Sequence, residues 1–259
     1  MLKWCSYCQQ FQGETSPYEE LSVTYGLCQR CESEHPDIFA RDVVQRSEFL
    51  RRIYYSLYEA GRRNDFRAAQ QLVKEAIAAN FRPVDILIGV LSPLLYKIGE
   101  QWRSGTITVA DEHGFTAFSE RVIELIEGSK PRGRTRPRAG VPRYFLMNAP
   151  GNTHTLAIRI LALWLESRSI CTPTVVNHLD LQELAQHVIK VAPKALLISM
   201  ALPEQLNGVA AISAVVGELP AGARPKVIVG GYAIKSGLIR FVPGADLVTD
   251  INLLSIFPD

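Results

Sequence analysis

The chain has 259 residues, 47% of them apolar and 21% charged, and a formal net charge of +2. That composition can fill the core of one large or two ordinary domains, and it excludes both a disordered chain and a global polyanion-binding field. No run approaches the ~18 apolar residues of a membrane span. Residues 1–30 are polar and cysteine-bearing rather than charged and then apolar, so a cytoplasmic protein is expected.

Cysteines lead the chain order. Cys5-Ser-Tyr-Cys8 and Cys28-Gln-Arg-Cys31 are two Cys-x-x-Cys knuckles separated by 19 residues. Such a pair offers four thiolates to one tetrahedral ion, which predicts a structural zinc site in residues 1–36. So short a segment rarely holds a core unaided, and the metal would supply folding energy. Trp4, Tyr7 and Phe11 are placed to pack around the metal or face a partner. The segment resembles the small zinc ribbons attached to bacterial signalling proteins.

Residues 37–128 change to helical period. Phe49, Ile53, Leu57 and Tyr58 mark a first helix that Gly61 and Asn64 end. Phe66, Ala69, Leu72, Val73 and Ile77 mark a second, and Pro83 opens a third that runs to Trp102. Pro93 lies inside that third helix and is expected to kink it. Thr108 is the expected N-cap of a fourth helix over 109–126. Four helices with short joints predict an antiparallel bundle.

Trp102 closes the third helix, and Glu112-His113 open the fourth ten residues later. An aromatic plate, a carboxylate and an imidazole at one end suit a flat, partly polar ligand. The run 91–113 resembles the helical cap of cobalamin-binding regulatory proteins, a family that includes light-sensing transcriptional regulators. That resemblance implies that Trp102, Glu112 and His113 shield the upper face of a bound corrinoid. Arg103 stands where the adenosylcobalamin photoreceptors carry a second cobalt-ligating histidine, which argues against a bis-histidine adduct through that position.

Residues 129–142 read as a linker. With Arg143 the stretch carries six basic side chains, three prolines and two glycines, and no aromatic is interleaved for stacking. A solvated run is the expectation, with at most a weak nucleic-acid contact.

From 143 to 259 strands and helices alternate. Strands are predicted at 143–148, 174–177, 195–199, 226–229 and 246–249, and helices near 155–167, 180–191, 205–218 and 235–241. This predicts a doubly wound, five-stranded parallel sheet of Rossmann-like type, with its ligand site at the strand C-termini. The loops there hold Asn152 and His154, then Ser199, then Gly230 and Gly231. Together they resemble the cobalamin-binding pattern Asp-x-His-x-x-Gly, Ser-x-Leu and Gly-Gly. The resemblance implies that His154 is the lower axial ligand to cobalt. Ser199 would bond the displaced nucleotide tail, and Gly230 and Gly231 would leave room for it. Asn152 stands in place of the aspartate that, by the resemblance, orients the histidine, so an uncharged amide must do so and imidazole donation weakens. Ala157 stands in place of the helix glycine, and Ala201 in place of the leucine.

The expected architecture is thus multi-domain: a zinc ribbon (1–36), a four-helix bundle cap (37–128), a linker (129–142) and a Rossmann-like domain (143–259). The expected function is non-enzymatic, a cobalamin-binding sensor loaded with adenosyl-, methyl- or hydroxocobalamin. No helix-turn-helix precedes the bundle, so a protein partner such as a transcription factor is expected to carry the output, docking on the ribbon. A corrinoid methyl carrier, or a haem-binding sensor on the same fold, is the alternative, and the oligomeric state is open.

Overall fold

Three short strands open the chain. β1 (Leu2–Cys5) pairs antiparallel with β2 (Phe11–Glu14) and parallel with β3 (Val23–Gly26), and α1 (Gln29–Glu34) follows. The computed structural model describes residues 1–16, 18, 22–34, 40–128, 143–168, 172–176 and 180–251. The basic stretch 130–138, His35 and Cys171 lie outside them. The chain divides into two compact units, Met1–Pro131 and Arg132–Asp259.

In the first unit the ribbon joins a helical bundle. Its helices are α2 (Ala40–Arg62), α3 (Phe66–Ala78), a composite third helix and α6 (Val109–Gly128). α2 packs on α3 and α6, and α6 also meets α3. The predicted apolar stripes face inward: Leu50, Ile53 and Leu57 from α2, Ala69 and Val73 from α3, and Phe115, Phe118 and Val122 from α6 are buried. Asn64, at φ +52°, turns the chain after α2. Gly61 lies in the last turn of that helix, which ends at Arg62, and a Cβ there would sit 2.3 Å from the Phe115 ring.

Pro93 produces something other than a simple kink. The third helix is α4 (Pro83–Ile86), a π-helical turn (Leu87–Leu91) and α5 (Ser92–Arg103), which packs on α6. The Ser92 N–H reaches back to the Leu87 carbonyl, and the Ser92 hydroxyl donates to the same oxygen at 3.0 Å. Proline offers no N–H and its ring crowds the carbonyl four residues back, so a widened turn directly ahead of it absorbs the misfit.

The second unit is a five-stranded parallel sheet. β4 (Arg143–Asn148), β5 (Thr172–Val175), β6 (Ala195–Ser199), β7 (Lys226–Gly230) and β8 (Asp246–Leu247) lie in the order β5-β4-β6-β7-β8. The helices are α7 (Thr155–Ser167), α8 (Leu181–Val191), α9 (Leu206–Gly217) and α10 (Tyr232–Lys235). Phe145, Leu196, Ile198, Val227 and Val229 of the sheet share a core with Leu184 and Val188 of α8 and Val209 and Ile212 of α9. Three elements differ from expectation by two residues or more. β5 begins two residues earlier, β8 has only two residues, and the last helix spans 232–235 rather than 235–241. Gly237, at φ +73°, stops that helix by taking a left-handed conformation that a helix cannot continue through.

Candidate functional site

A sheet ordered β5-β4-β6-β7-β8 reverses its winding between β4 and β6, and ligands of such sheets bind at the C-terminal ends flanking that reversal. Asn148, Ser199 and Gly230 stand side by side there, paired Asn148 with Ser199 and Ser199 with Gly230 across three strands.

His154 sits in the loop from β4 and caps the N-terminus of α7 through its backbone. Its side chain is exposed and makes no hydrogen bond to the described residues. Its main chain, by contrast, is held twice. The His154 N–H donates to Asn152 Oδ1 at 3.0 Å, and the His154 carbonyl accepts from Asn148 Nδ2 at 3.2 Å. Asn152 Nδ2 in turn donates to the Ser199 carbonyl at 3.0 Å. Asn152 therefore orients the histidine backbone, not the imidazole ring where the sequence pattern places its effect.

The glycine pair splits into two roles. Gly231 has φ +101°, and a Cβ there would lie 2.5 Å from the Met200 carbonyl oxygen. Its missing side chain serves the close approach of two loops, so Gly231 does not leave open space. Gly230 is less confined: a Cβ there would find its nearest neighbour, the Val248 carbonyl oxygen, at 3.2 Å. Gln205, which no sequence pattern singles out, shapes the loop after Ser199: its Oε1 accepts from the N–H groups of Ala201 and Leu202 at 2.9 and 3.1 Å. Asn148 also lies outside the sequence motif, although its place at the end of an apolar strand is a usable signal.

In the first unit, Trp102 ends α5 and Glu112 and His113 lie in the first turns of α6, so a short turn keeps all three at one end. That turn closes through the Thr106 N–H on the Gln101 carbonyl at 2.8 Å. Thr108 caps α6 as expected, its hydroxyl accepting from the Asp111 N–H while the Asp111 carboxylate accepts from Thr108. Trp102 is 48% exposed, whereas Trp4 and Trp164 are buried. Glu112 Oε1 accepts from the Thr116 hydroxyl at 3.0 Å, and its Oε2 lies 3.7 Å from His113 Nε2.

The four cysteines come together. One Sγ each from Cys5, Cys8, Cys28 and Cys31 lie within 4.8 Å of one another, and Cys8 Sγ is 3.9 Å from Cys28 Sγ. A tetrahedron with metal–sulfur bonds of ~2.3 Å has edges of about 3.8 Å, close to the Cys8–Cys28 spacing, so the four thiols could hold a zinc ion. Burial pushes the Cys31 thiol up to about 11 and raises Cys8 as well. At Cys5 backbone hydrogen bonds, first that of Cys28, outweigh burial and bring the thiol down to about 7.

Trp4 and Phe11 of the ribbon are buried against the bundle and do not face outward. Trp4 packs on Phe11 and on Phe81, and a Cβ on Gly89 in the π turn would lie 2.3 Å from the indole. The Phe11 N–H donates to Asp85, which is fully buried and bonded by Arg82 at 2.7 and 2.8 Å. Tyr7 remains exposed.

Parts of the chain are similar to known proteins. Residues 54–127 match the profile of a family described as a B12 binding domain. The HTH-type transcriptional repressor CarH of Myxococcus xanthus is 30% identical over 122 residues, 47% of this chain and 38% of that relative. The match thus spans well under half of the relative's length. Among solved structures, the monomethylamine corrinoid protein of Methanosarcina barkeri superposes with a TM-score of 0.62 at 16% identity, over 76% of this chain and 92% of that one. At that identity the likeness establishes the shared fold.

Proposed function

We propose, from the match of residues 54–127 to the B12 binding domain family, that the chain is a cobalamin-binding regulator, with His154 as the lower axial ligand to cobalt. The observation that carries this reading is the exposed imidazole at the switch point of the sheet, its backbone fixed and its ring without a partner among the described residues. A neutral imidazole nitrogen is a suitable donor to cobalt. Ser199, half-buried at the neighbouring strand end, would bond the nucleotide tail, beside Gly230. Trp102 would cover the upper face of the ring, with Glu112 and His113 beside it.

Bound adenosyl- or methylcobalamin would supply an upper cobalt–carbon bond that light can break, and hydroxocobalamin an upper ligand that can exchange. In this reading His154 would hold the group, the Trp102 indole would exclude water from it, and the chain would report a change in its upper ligand. Such a report requires different affinity for two states. The repressor CarH supports a transcriptional output. We assign that output to a protein partner, with light or ligand as input and no catalytic step. Zinc in the four-cysteine cluster would fix the ribbon. Since Trp4 and Phe11 are spent on the bundle, the partner surface of the ribbon reduces to groups such as Tyr7.

The test is an absorption spectrum of the purified chain with adenosyl-, methyl- and hydroxocobalamin, in the dark and after illumination. Retained corrinoid whose spectrum changes with light supports the sensor. Retained corrinoid that instead passes a methyl group to an acceptor in the presence of a methyltransferase would favour the carrier reading. Absence of binding to all three forms sinks both.

A further inference from the structure

We infer that Asn148 and Asn152 form a two-amide clip that positions His154 through its peptide groups, and that Asn148 is a positioning residue of the lower-ligand site. The inference rests on the cobalamin reading above for its function, though not for its geometry.

The two asparagines grip opposite sides of one residue. Asn152 accepts the His154 N–H at 3.0 Å, and Asn148 donates to the His154 carbonyl at 3.2 Å. Both are anchored in the sheet. Asn148 is the last residue of β4, in register with Ser199, and Asn152 Nδ2 donates to the Ser199 carbonyl at 3.0 Å. That carbonyl also accepts from the Ala149 N–H at 2.9 Å, so the loop is tied to β6 at two points. Each clip needs an amide: Asn152 must accept and donate at once, and Asn148 must donate. An aspartate at 152 keeps the acceptor for His154 but turns an oxygen toward the Ser199 carbonyl. This chain therefore uses asparagine for a purpose that aspartate cannot serve in the same conformation.

Asn148 shows the sign of a residue kept for position. Its Oδ1 is buried without a hydrogen-bond partner among the described residues, which is unfavourable for folding. Turning the amide over would set Oδ1 against the His154 carbonyl and lose the bond that Nδ2 makes there. The side chain accepts the orphaned acceptor in order to hold the histidine. The main chain of His154 is thus set by two hydrogen bonds, while its exposed ring carries no carboxylate among the described residues.

The test uses Asn148→Ala, the isosteric but donor-less Asn148→Asp, and Asn152→Ala in the full chain. Backbone amide order parameters and hydrogen exchange at residue 154 are read by NMR without corrinoid, and the histidine-ligated fraction is read by absorption with hydroxocobalamin. The clip predicts a loss of order at the His154 amide in all three variants, and exchange about fivefold faster in Asn152→Ala. It also predicts an unchanged or higher unfolding midpoint in Asn148→Ala, because the orphaned oxygen goes with the amide. A reduced ligated fraction follows in each. Unchanged order at residue 154 in both alanine variants overturns the clip. If the wild type takes up no corrinoid, the proposed function fails while the NMR still decides the clip.

Discussion

The indole of Trp4 lies directly on Gly89: a Cβ added there would come within 2.3 Å of the Trp4 ring and 2.7 Å of the Phe11 ring. The cysteine ribbon is therefore seated on the π turn of the composite helix whose far end carries Trp102. A glycine in a helix is unfavourable by itself, and close approach of a neighbouring ring is the physical reason to keep one.

Gly89→Ala should displace the ribbon from its seat and destabilise the chain by about 1–3 kcal/mol, the range of an overpacked core. Chemical denaturation measures it. In a Trp4→Ala background the same substitution should be much less harmful, since the ring it strikes is gone. Equal effects in both backgrounds would contradict the contact.

Thr108→Ala should cost about 1 kcal/mol by removing the N-cap of α6. The loss should also depend on pH. Chiefly the Thr108 hydroxyl, and then the Thr108 N–H, hold the Asp111 carboxyl below its ordinary value. A depressed folded value stabilises the protein above the ordinary carboxylate pKa and loses that effect as pH falls through the folded value. The difference between wild type and variant should therefore be full at neutral pH and shrink as pH drops below ~4.

Trp102 should be the tryptophan most open to a soluble quencher, because Trp4 and Trp164 are 2% and 1% exposed. Iodide quenching should fall from the wild-type level to a small residual in Trp102→Phe. Cobalamin should protect the wild-type indole from iodide, and continued quenching of Trp102 in the loaded protein would remove it from the upper face.

Metal analysis should find one zinc ion per chain, carried by Cys5, Cys8, Cys28 and Cys31. Chelation should shift Trp4 emission to the red, as the ribbon leaves Gly89 and the indole meets water. Cys8→Ser should lose the zinc and show that shift from the start. A fully structured ribbon in metal-free protein would argue that its seat on the bundle, not the metal, supplies its stability.

Much of this is legible in residue spacing. Apolar period gives the inward faces of α2, α3 and α6, and alternation of β-rich runs with helices gives the parallel sheet and its ligand edge. The paired knuckles place four sulfurs in one cluster, and Thr108 announces its helix. What spacing cannot carry is contact across distant segments. Nothing local in Gly89 says that Trp4 lies upon it, and nothing local in Gly231 says that the Met200 backbone fills its missing Cβ. Pro93 predicts a disturbance, but whether a kink or a π turn absorbs it depends on neighbours. The motif substitution at Asn152 points to the imidazole, and only the three-strand register shows the amide bridging Ser199 to the His154 backbone. Asn148 falls outside the motif, and only its place at the end of the predicted strand 143–148 marks it in the sequence.

The most direct measurement is electron paramagnetic resonance of the cobalt(II) form of the cobalamin-loaded protein, prepared with ordinary histidine and with histidine labelled with nitrogen-15. Ligation by His154 predicts a nitrogen splitting on the cobalt lines that changes with the label and disappears in His154→Ala. A splitting that is insensitive to the label, or that survives in His154→Ala, would mean that the cofactor's own base or another group occupies the lower position.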